Sequence, residues 1–227
     1  MARALILDCD GVLAHTEATH IACANKAFSD AGLDTSWDET LYARVTQTAG
    51  FRGQLTAYFG RFGWPKGEAD NQDLLDQLTT RHRDLFVAAV RSGAVPLRDD
   101  VPELIDFAVS AGWKLAVCTD DHPDIASASV SRLGLQRASA IGVVVGGPDV
   151  QRPRPDPGLY LAVAERLGLA PEDCTAVVSR PFGAIAARSA GLTVSALAGP
   201  AANAASFGGA AMISKLDAGP EGLNLAA

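Results

Sequence analysis

The sequence lacks most features that would mark a secreted, membrane-bound or nucleic-acid-binding protein. Its 227 residues include four cysteines, and their spacing shows no pair typical of a zinc site or a disulfide framework. Acidic residues outnumber basic ones by 26 to 19, so there is no positive surplus to drive binding to nucleic acid or anionic membranes. The first apolar run, residues 5–7, is too short for a signal peptide or a membrane span. We therefore expect a cytoplasmic protein, monomeric by default, that binds neither nucleic acid nor membranes.

The apolar pattern predicts an α/β protein with an inserted helical block. Short apolar runs typical of buried parallel strands occur at residues 5–7, 114–119, 141–145, 175–178, 192–197 and 211–213. Apolar residues at helical spacing occur between the first two runs, at residues 17–31, 39–47, 54–62 and 71–92. Helical segments also separate the later runs, and this alternation indicates a parallel sheet with right-handed crossovers. We expect a Rossmann-like core of residues 1–14 and 91–227, with a helical cap domain of residues 15–90 inserted after the first strand.

Two carboxylates follow the first predicted strand directly, in the string Asp8-Cys9-Asp10-Gly11. Ligands of open parallel sheets bind beyond the carboxyl ends of the strands, and Gly11 permits the bend that would bring both carboxylates to one site. One carboxylate could attack a phosphoryl group while the other handles the proton. The Asp-Gly pair taken alone is more often a solvent-exposed turn, so the assignment depends on the longer string around it.

That longer string, ALILDCDGVLAHTE at residues 4–17, resembles the first motif of the haloacid dehalogenase-like superfamily. Within the superfamily, the chain is similar to the CbbY-like and β-phosphoglucomutase-like subgroup, whose members carry a helical cap. The resemblance includes His20, the pair YF at residues 58–59 and the triplet GWP at residues 63–65, and it extends to about residue 198. It implies a phosphatase-type hydrolase that acts on a sugar phosphate or bisphosphate, with Mg²⁺ as its cofactor.

The resemblance also assigns roles to individual residues. It implies that Asp8 is the nucleophile that forms an aspartyl-phosphate, that Asp10 is the acid/base, and that both belong to the Mg²⁺ site. Thr119 matches the hydroxyl residue that binds the transferred phosphate at the end of the second core strand. Arg152, in the string RPRPD, takes the place of a lysine that neutralises the phosphate and the nucleophile. The candidate substrate-binding residues are Glu17, His20, Arg52 and Asp120.

Several of these residues have simpler interpretations that the sequence leaves open. Glu17 is typical of the first turn of a helix, where an acid favours the helix dipole. His20 is equally typical of a solvated helix face, and Arg52 of an ordinary protein surface. Asp120 and its neighbour Asp121 would repel a phosphate unless one of them faces away or binds a cation.

The chain departs from the family in the fourth motif, where one or two acids normally hold Mg²⁺. Ser179 and Arg180 stand at those positions, and a fixed cation there would oppose a metal ion. Three hypotheses follow. The protein could still be a phosphatase, with Mg²⁺ held by Asp8, the Asp10 carbonyl and water. Arg180 could instead replace the charge of the metal by pairing with Asp8, which would favour binding of a phosphorylated or other anionic ligand, or different chemistry. In the third, the protein is non-catalytic.

Overall fold

The computed structural model describes residues 3–65, 68–197, 203–216 and 223, and over these residues it contains one six-stranded parallel sheet. The strand order across the sheet is β3-β2-β1-β4-β5-β6. The strands are β1 (Ala4–Asp8), β2 (Lys114–Cys118), β3 (Ile141–Val145), β4 (Cys174–Val178), β5 (Thr193–Leu197) and β6 (Ala211–Ile213). The central position of β1 puts its carboxyl end beside those of β2 and β4, and side chains that follow these three strands meet at one edge of the sheet.

Helices cover both faces of the sheet and form a separate block after the first strand. The four helices of this block are α1 (Glu17–Asp30), α2 (Glu39–Val45), α3 (Phe51–Phe62) and α4 (Glu68–Ser92). The helices that alternate with the later strands are α5 (Val101–Ser110), α6 (Pro123–Ser131), α7 (Leu135–Ala140), α8 (Gly158–Leu167) and α9 (Pro181–Ser189). The chain leaves the sheet after β1 and returns to it at β2, after the block and α5. The block is therefore a single insertion.

The central strands β1 and β4 are buried because alternate side chains of a strand pack into different layers. Leu5 and Leu7 of β1 lie in one apolar cluster with α5 and α6, whereas Ala4 and Ile6 lie in a second cluster with α8 and α9. The helical block has an apolar cluster of its own, built around the fully buried Trp37. The sheet and the block therefore each have a core, and they meet at the carboxyl edge of the strands.

The predicted fold class is confirmed: the structure has the expected parallel sheet, with the helical block between β1 and β2. Helices α5 and α7 were not predicted. The division into a cap of residues 15–90 and a core stays a prediction, and residues 1–2, 198–202, 217–222 and 224–227 of the predicted core lie outside the described residues. Within the described ranges, no helix combines the length and the apolar character needed to cross a membrane.

Candidate active site

Asp8 is the last residue of β1, and its side chain is almost completely enclosed, with the residue only 2% exposed. Its Oδ1 accepts hydrogen bonds from the Cys118 thiol at 3.2 Å and from the Tyr160 hydroxyl at 3.0 Å. Burial raises the pKa of the Asp8 carboxyl, because an enclosed charge loses its hydration; Arg154 opposes this rise and Asp120 adds to it. Asp8 thus needs a nearby positive charge to stay ionised.

Arg154 supplies that charge and shares it between two carboxylates. Its Nη1 donates to Asp8 Oδ1 at 2.8 Å and to Oδ2 at 2.9 Å, while its Nε and Nη2 donate to the two oxygens of Asp120 at 2.7 and 2.6 Å. The guanidinium also lies over the rings of Tyr160 and Phe182, at 5.6 and 5.3 Å from their centroids. Burial opposes the charged form, but the two carboxylates raise the pKa of Arg154 well above its usual value. The result is a buried Asp8–Arg154–Asp120 bridge.

The sequence prediction for the phosphate-neutralising cation has to be corrected by two residues. Arg152 was expected beside Asp8, but its side chain is 78% exposed and pairs with Asp156. Arg154 takes the expected place instead. Arg154-Pro155-Asp156-Pro157 repeats the spacing of a basic residue before Pro-x-Pro, so the sequence held two overlapping candidates.

Asp10 faces the helical block, where it meets a pair of histidines. His20 Nε2 lies 2.9 Å from Asp10 Oδ1, and His20 Nδ1 lies 3.1 Å from Nε2 of His82 on α4. Burial alone would raise the pKa of Asp10, but His20, Thr16 and Arg180 lower it to about 2. Burial lowers the pKa of His20, yet the Asp10 carboxylate raises it above its usual value. Both pKa shifts favour the ionic form of this pair, with the proton on His20 and Asp10 as the acceptor.

Burial and the neighbouring His20 hold the pKa of His82 well below its usual value, so this second histidine is neutral. Its ring stacks on Phe51 at a centroid distance of 3.9 Å, and the His20 ring stacks on Phe86 at 4.3 Å. The predicted substrate-binding residue His20 is thus buried and holds Asp10, rather than lying on a solvated helix face.

The residues around Asp8 do not fit Mg²⁺ at the place the family resemblance implies. The Ser179 hydroxyl donates to the Asp10 carbonyl at 2.7 Å, and Arg154 covers both oxygens of Asp8. Mg²⁺ needs oxygen ligands in near-octahedral geometry, and both of the expected ones are already engaged. The expected metal ligation by Asp8 and the Asp10 carbonyl is therefore not supported by this arrangement.

Arg180 does not replace the metal in the way that was hypothesised. Over the described ranges, it forms no ion pair with Asp8, and its Nη1 donates to Thr46 Oγ1 in the helical block at 3.1 Å. Its charge contributes to lowering the pKa of Asp10. Arg154, rather than Arg180, is the cation that pairs with Asp8.

The segment after β2 closes the site from the other side. Thr119 is buried, and its hydroxyl accepts from the Asp121 backbone N–H at 3.2 Å. Asp121 accepts from the Phe51 N–H at the start of α3 at 2.7 Å, and burial raises its pKa to about 6. Ligand atoms of Asp10, His20 and Asp121 lie within 4.8 Å of one another, a set that could hold a metal ion, although Asp10 and His20 already share a hydrogen bond.

A cavity of about 770 Å³ lies between α3, α4 and the segments that follow β2 and β3. Asp120, Asp121 and Arg154 line its inner end, and Arg52 and Arg83 line the side formed by the helical block. Such a volume is typical of a small-molecule site. Asp8 does not line the cavity, whereas its partner Arg154 does.

Two further sequence predictions differ in outcome. Arg52 lines the cavity, where it hydrogen-bonds Asp76 and, at 3.0 Å, Gln72. Glu17 is exposed in the first turn of α1, as its helix-start interpretation would have it, and it does not line the cavity.

Sequence reasoning missed Arg154, Tyr160, His82 and Gly183. A Cβ atom at Gly183, in the first turn of α9, would lie 2.9 Å from Arg154 Nη1 and 3.3 Å from Asp8 Oδ2, so a side chain there would displace the bridge. Only Arg154 could have been found from a local pattern, since Tyr160 and His82 resemble ordinary core-facing residues of helices α8 and α4.

The fold agrees with the comparison to known proteins. The family model for haloacid dehalogenase-like hydrolases matches residues 2–191, and the chain belongs to that family. It is 37% identical over 196 residues to the CBBY-like protein of Arabidopsis thaliana, covering 84% of this chain and 61% of that protein. It is 34% identical over 195 residues to the CbbY protein of Cupriavidus necator, covering 84% of this chain and 76% of the relative.

Solved structures also show that the fold is similar to that of CbbY proteins. CbbY from Rhodobacter sphaeroides, solved in complex with phosphate, superimposes with a TM-score of 0.83 at 28% identity, covering 99% of this chain and 98% of that one. A mutant of the same protein, solved with xylulose-(1,5)bisphosphate, superimposes equally well. The resemblance predicted from the first motif is thereby confirmed at the level of family and fold.

Proposed function

We propose that this protein hydrolyses phosphate monoesters of small phosphorylated metabolites, of the sugar phosphate or bisphosphate class, through an aspartyl-phosphate on Asp8. The observation that carries the proposal is the pair of carboxylates at the end of β1, one held by a guanidinium and the other by a histidine. Phosphate and a sugar bisphosphate in the solved Rhodobacter sphaeroides relative support the substrate class. The helical block of residues 15–90 would act as the cap over the cavity.

In this proposal, Asp8 Oδ2 attacks phosphorus, because it accepts only from Arg154 whereas Oδ1 accepts from three donors. The new O–P bond forms as the ester O–P bond breaks, and the leaving alkoxide takes the proton held between His20 and Asp10. Water then attacks phosphorus and the bond between phosphorus and Asp8 Oδ2 breaks, so that Asp10 regains a proton from the water, Asp8 is freed as a carboxylate and inorganic phosphate leaves. The donors for the transferring oxygens would be Arg154 and the Thr119 hydroxyl.

The first test is phosphate release from a panel of sugar monophosphates and bisphosphates, with an aryl phosphate as a generic probe. The wild-type protein should turn over at least one member of the panel. Its rate should be the same in EDTA as in Mg²⁺, because the positive charge comes from Arg154. The absence of release from every substrate would refute hydrolysis. A strict requirement for Mg²⁺ would refute the part of the proposal that gives the charge to arginine.

A second candidate function, binding of a phosphorylated ligand without turnover, is favoured by the fourth motif. The Ser179 hydroxyl donates to the Asp10 carbonyl, and Arg180 adds positive charge near Asp10. The site therefore has positively charged side chains but lacks the acids of the fourth motif. An arginine binds phosphate well but stabilises phosphoryl transfer less than a divalent metal does. Such a protein would retain affinity for phosphate esters and hydrolyse none of them.

Restoring the acids separates the two candidates. The double variant Ser179→Glu/Arg180→Asp should gain Mg²⁺-dependent phosphate release of about a hundredfold, since metal assistance is worth several kcal/mol. Its matched control, Ser179→Gln/Arg180→Asn, has nearly the same shape without the acids and should show no Mg²⁺-dependent gain. An equal response of the two variants would mean that the missing acids do not limit the reaction.

A further inference from the structure

The bridge at Arg154 occupies the two-pronged edge of the guanidinium that an anionic ligand would need. Nε and Nη2 form a two-pronged pair with Asp120, at 2.7 and 2.6 Å, and Nη1 serves Asp8 and the Tyr160 hydroxyl. A phosphate binds an arginine with this same two-pronged geometry. Asp120 therefore occupies the edge of the guanidinium that fits a phosphate.

The net charge of the bridge also opposes the binding of an anion. Two carboxylates, Asp8 and Asp120, share one guanidinium, so the bridge carries a net negative charge with all three groups ionised. The side chains of Arg154 and Asp120 are only 4% and 13% exposed, so solvent screens them weakly. A phosphate that approached the intact bridge would be repelled.

Asp120 is also a member of the bridge that a ligand in the cavity can contact directly. Asp120 and Arg154 both line the cavity, whereas Asp8 does not. The backbone of Asp120 lies close to two glycines. A Cβ atom at Gly50 or Gly147 would lie 2.9 or 2.1 Å from the carbonyl oxygen of Asp120. Gly50 directly precedes α3, so Asp120 lies where the helical block touches the sheet.

We propose that Asp120 is an internal competitor for the anion site, so that phosphate binds Arg154 only when the Asp120 carboxylate leaves it. Asp120 then determines specificity. Inorganic phosphate must displace the Asp120 carboxylate from Arg154 without offering it a new hydrogen-bond donor. The hydroxyl groups of a phosphorylated polyol, in contrast, can donate to the released carboxylate. The proposal deepens the proposed function, and it depends on that function only in taking Arg154 as the anion-binding group.

The test is the affinity of the full chain for inorganic phosphate, measured in EDTA by calorimetry or ³¹P NMR. Asp120→Asn should bind phosphate about tenfold more tightly than wild type, because the neutral amide holds the guanidinium less strongly. The matched control is Asp121→Asn, which removes a charge one residue away whose partner is the Phe51 N–H. The gain in phosphate affinity of Asp121→Asn should be several times smaller than that of Asp120→Asn. No gain in Asp120→Asn, or an equal gain in both variants, would overturn the proposal.

A measurement on the wild-type protein covers the case in which Asp120→Asn does not fold. The Nε–H resonance of Arg154, assigned by its absence from Arg154→Lys, should shift as phosphate saturates the site, since its acceptor changes from Asp120 to phosphate. A resonance that stays in place while phosphate binds would show that the bridge is purely structural. Neither readout requires turnover, so a protein that hydrolyses nothing could still confirm this inference.

Discussion

Replacing Arg154 by methionine should lower the free energy of unfolding by about 3–5 kcal/mol, the usual result of removing one partner from a buried ion pair. The side chains of Asp8 and Arg154 are 3% and 4% exposed, so water cannot replace the lost donors. Methionine fills much of the volume that the Arg154 side chain occupies against the rings of Tyr160 and Phe182, and it carries no charge. The loss of stability would therefore be mainly electrostatic.

The deficit of Arg154→Met should depend on pH in a defined direction. Burial already raises the pKa of Asp8, and the loss of the guanidinium raises it further. A carboxyl whose pKa is higher in the folded state than in the unfolded state binds more protons when folded. Stability therefore falls as pH rises above the unfolded value of about 3.9 toward the folded one. The variant should be closest to wild type in acid and furthest from it at neutral pH.

Urea denaturation followed by circular dichroism at several pH values measures both effects. The matched control is Arg152→Met, the same substitution two residues away, at a side chain that is 78% exposed. That variant should stay within about 0.5 kcal/mol of wild type, as surface substitutions usually do. Equal stabilities of the two variants would mean that the bridge contributes nothing. A larger loss in Arg152→Met would restore the assignment first made from the sequence.

The two arginines also show where sequence reasoning reaches its limit. The string RPRPDP contains two basic residues, Arg152 and Arg154, that each precede Pro-x-Pro, and the Asp after the first Pro-x-Pro favours Arg152, the wrong one. The choice is made by tertiary packing: Gly183 lets α9 approach Arg154, and Tyr160 lies beneath its guanidinium. Both residues are distant in sequence or resemble ordinary helix residues, so only the fold reveals their role.

The aspartates after β2 give a related example. The sequence predicts that Asp120 and Asp121 would repel phosphate unless one faces away or binds a cation, and the structure gives a partner to each. Asp120 pairs with the Arg154 guanidinium, and Asp121 accepts from the N–H of Phe51. Arg180 was expected to pair with Asp8 but contacts Thr46. Each outcome depends on contacts between residues more than 30 positions apart, which periodicity and motif spacing do not encode.

Elements whose side chains are constrained by local pattern were predictable. The six apolar runs correspond to β1–β6, and in β1 and β4 all five residues are buried, as a parallel strand covered on both faces requires. Helix α5 escaped prediction, although Val101, Leu104, Ile105 and Ala108 lie at helical spacing and Pro102 fits a first turn. The order of elements thus followed from the sequence, and the partners of the charged side chains did not.

Replacing Asp8 by asparagine should reduce phosphate-ester hydrolysis by about a thousandfold or more, as loss of a catalytic nucleophile commonly does. An amide cannot form the acyl-phosphate bond, while its carbonyl oxygen can still accept from Arg154 and Tyr160. The fold should therefore persist. Affinity for inorganic phosphate should stay the same or increase, because one of the two negative charges on the bridge is gone.

The decisive measurement is intact-protein mass spectrometry after acid quenching of a reaction with substrate. Wild-type protein should carry one phosphoryl group and Asp8→Asn none. Asp156→Asn, which alters a carboxylate paired with the exposed Arg152, should match wild type in both rate and adduct. A rate that survives in Asp8→Asn, or an adduct found on both proteins, would place the nucleophile elsewhere. Tight phosphate binding by Asp8→Asn, together with no turnover by wild type, would instead mean that the bridge has turned a hydrolase site into a binding site, with Asp120 and Arg154 still controlling access to it.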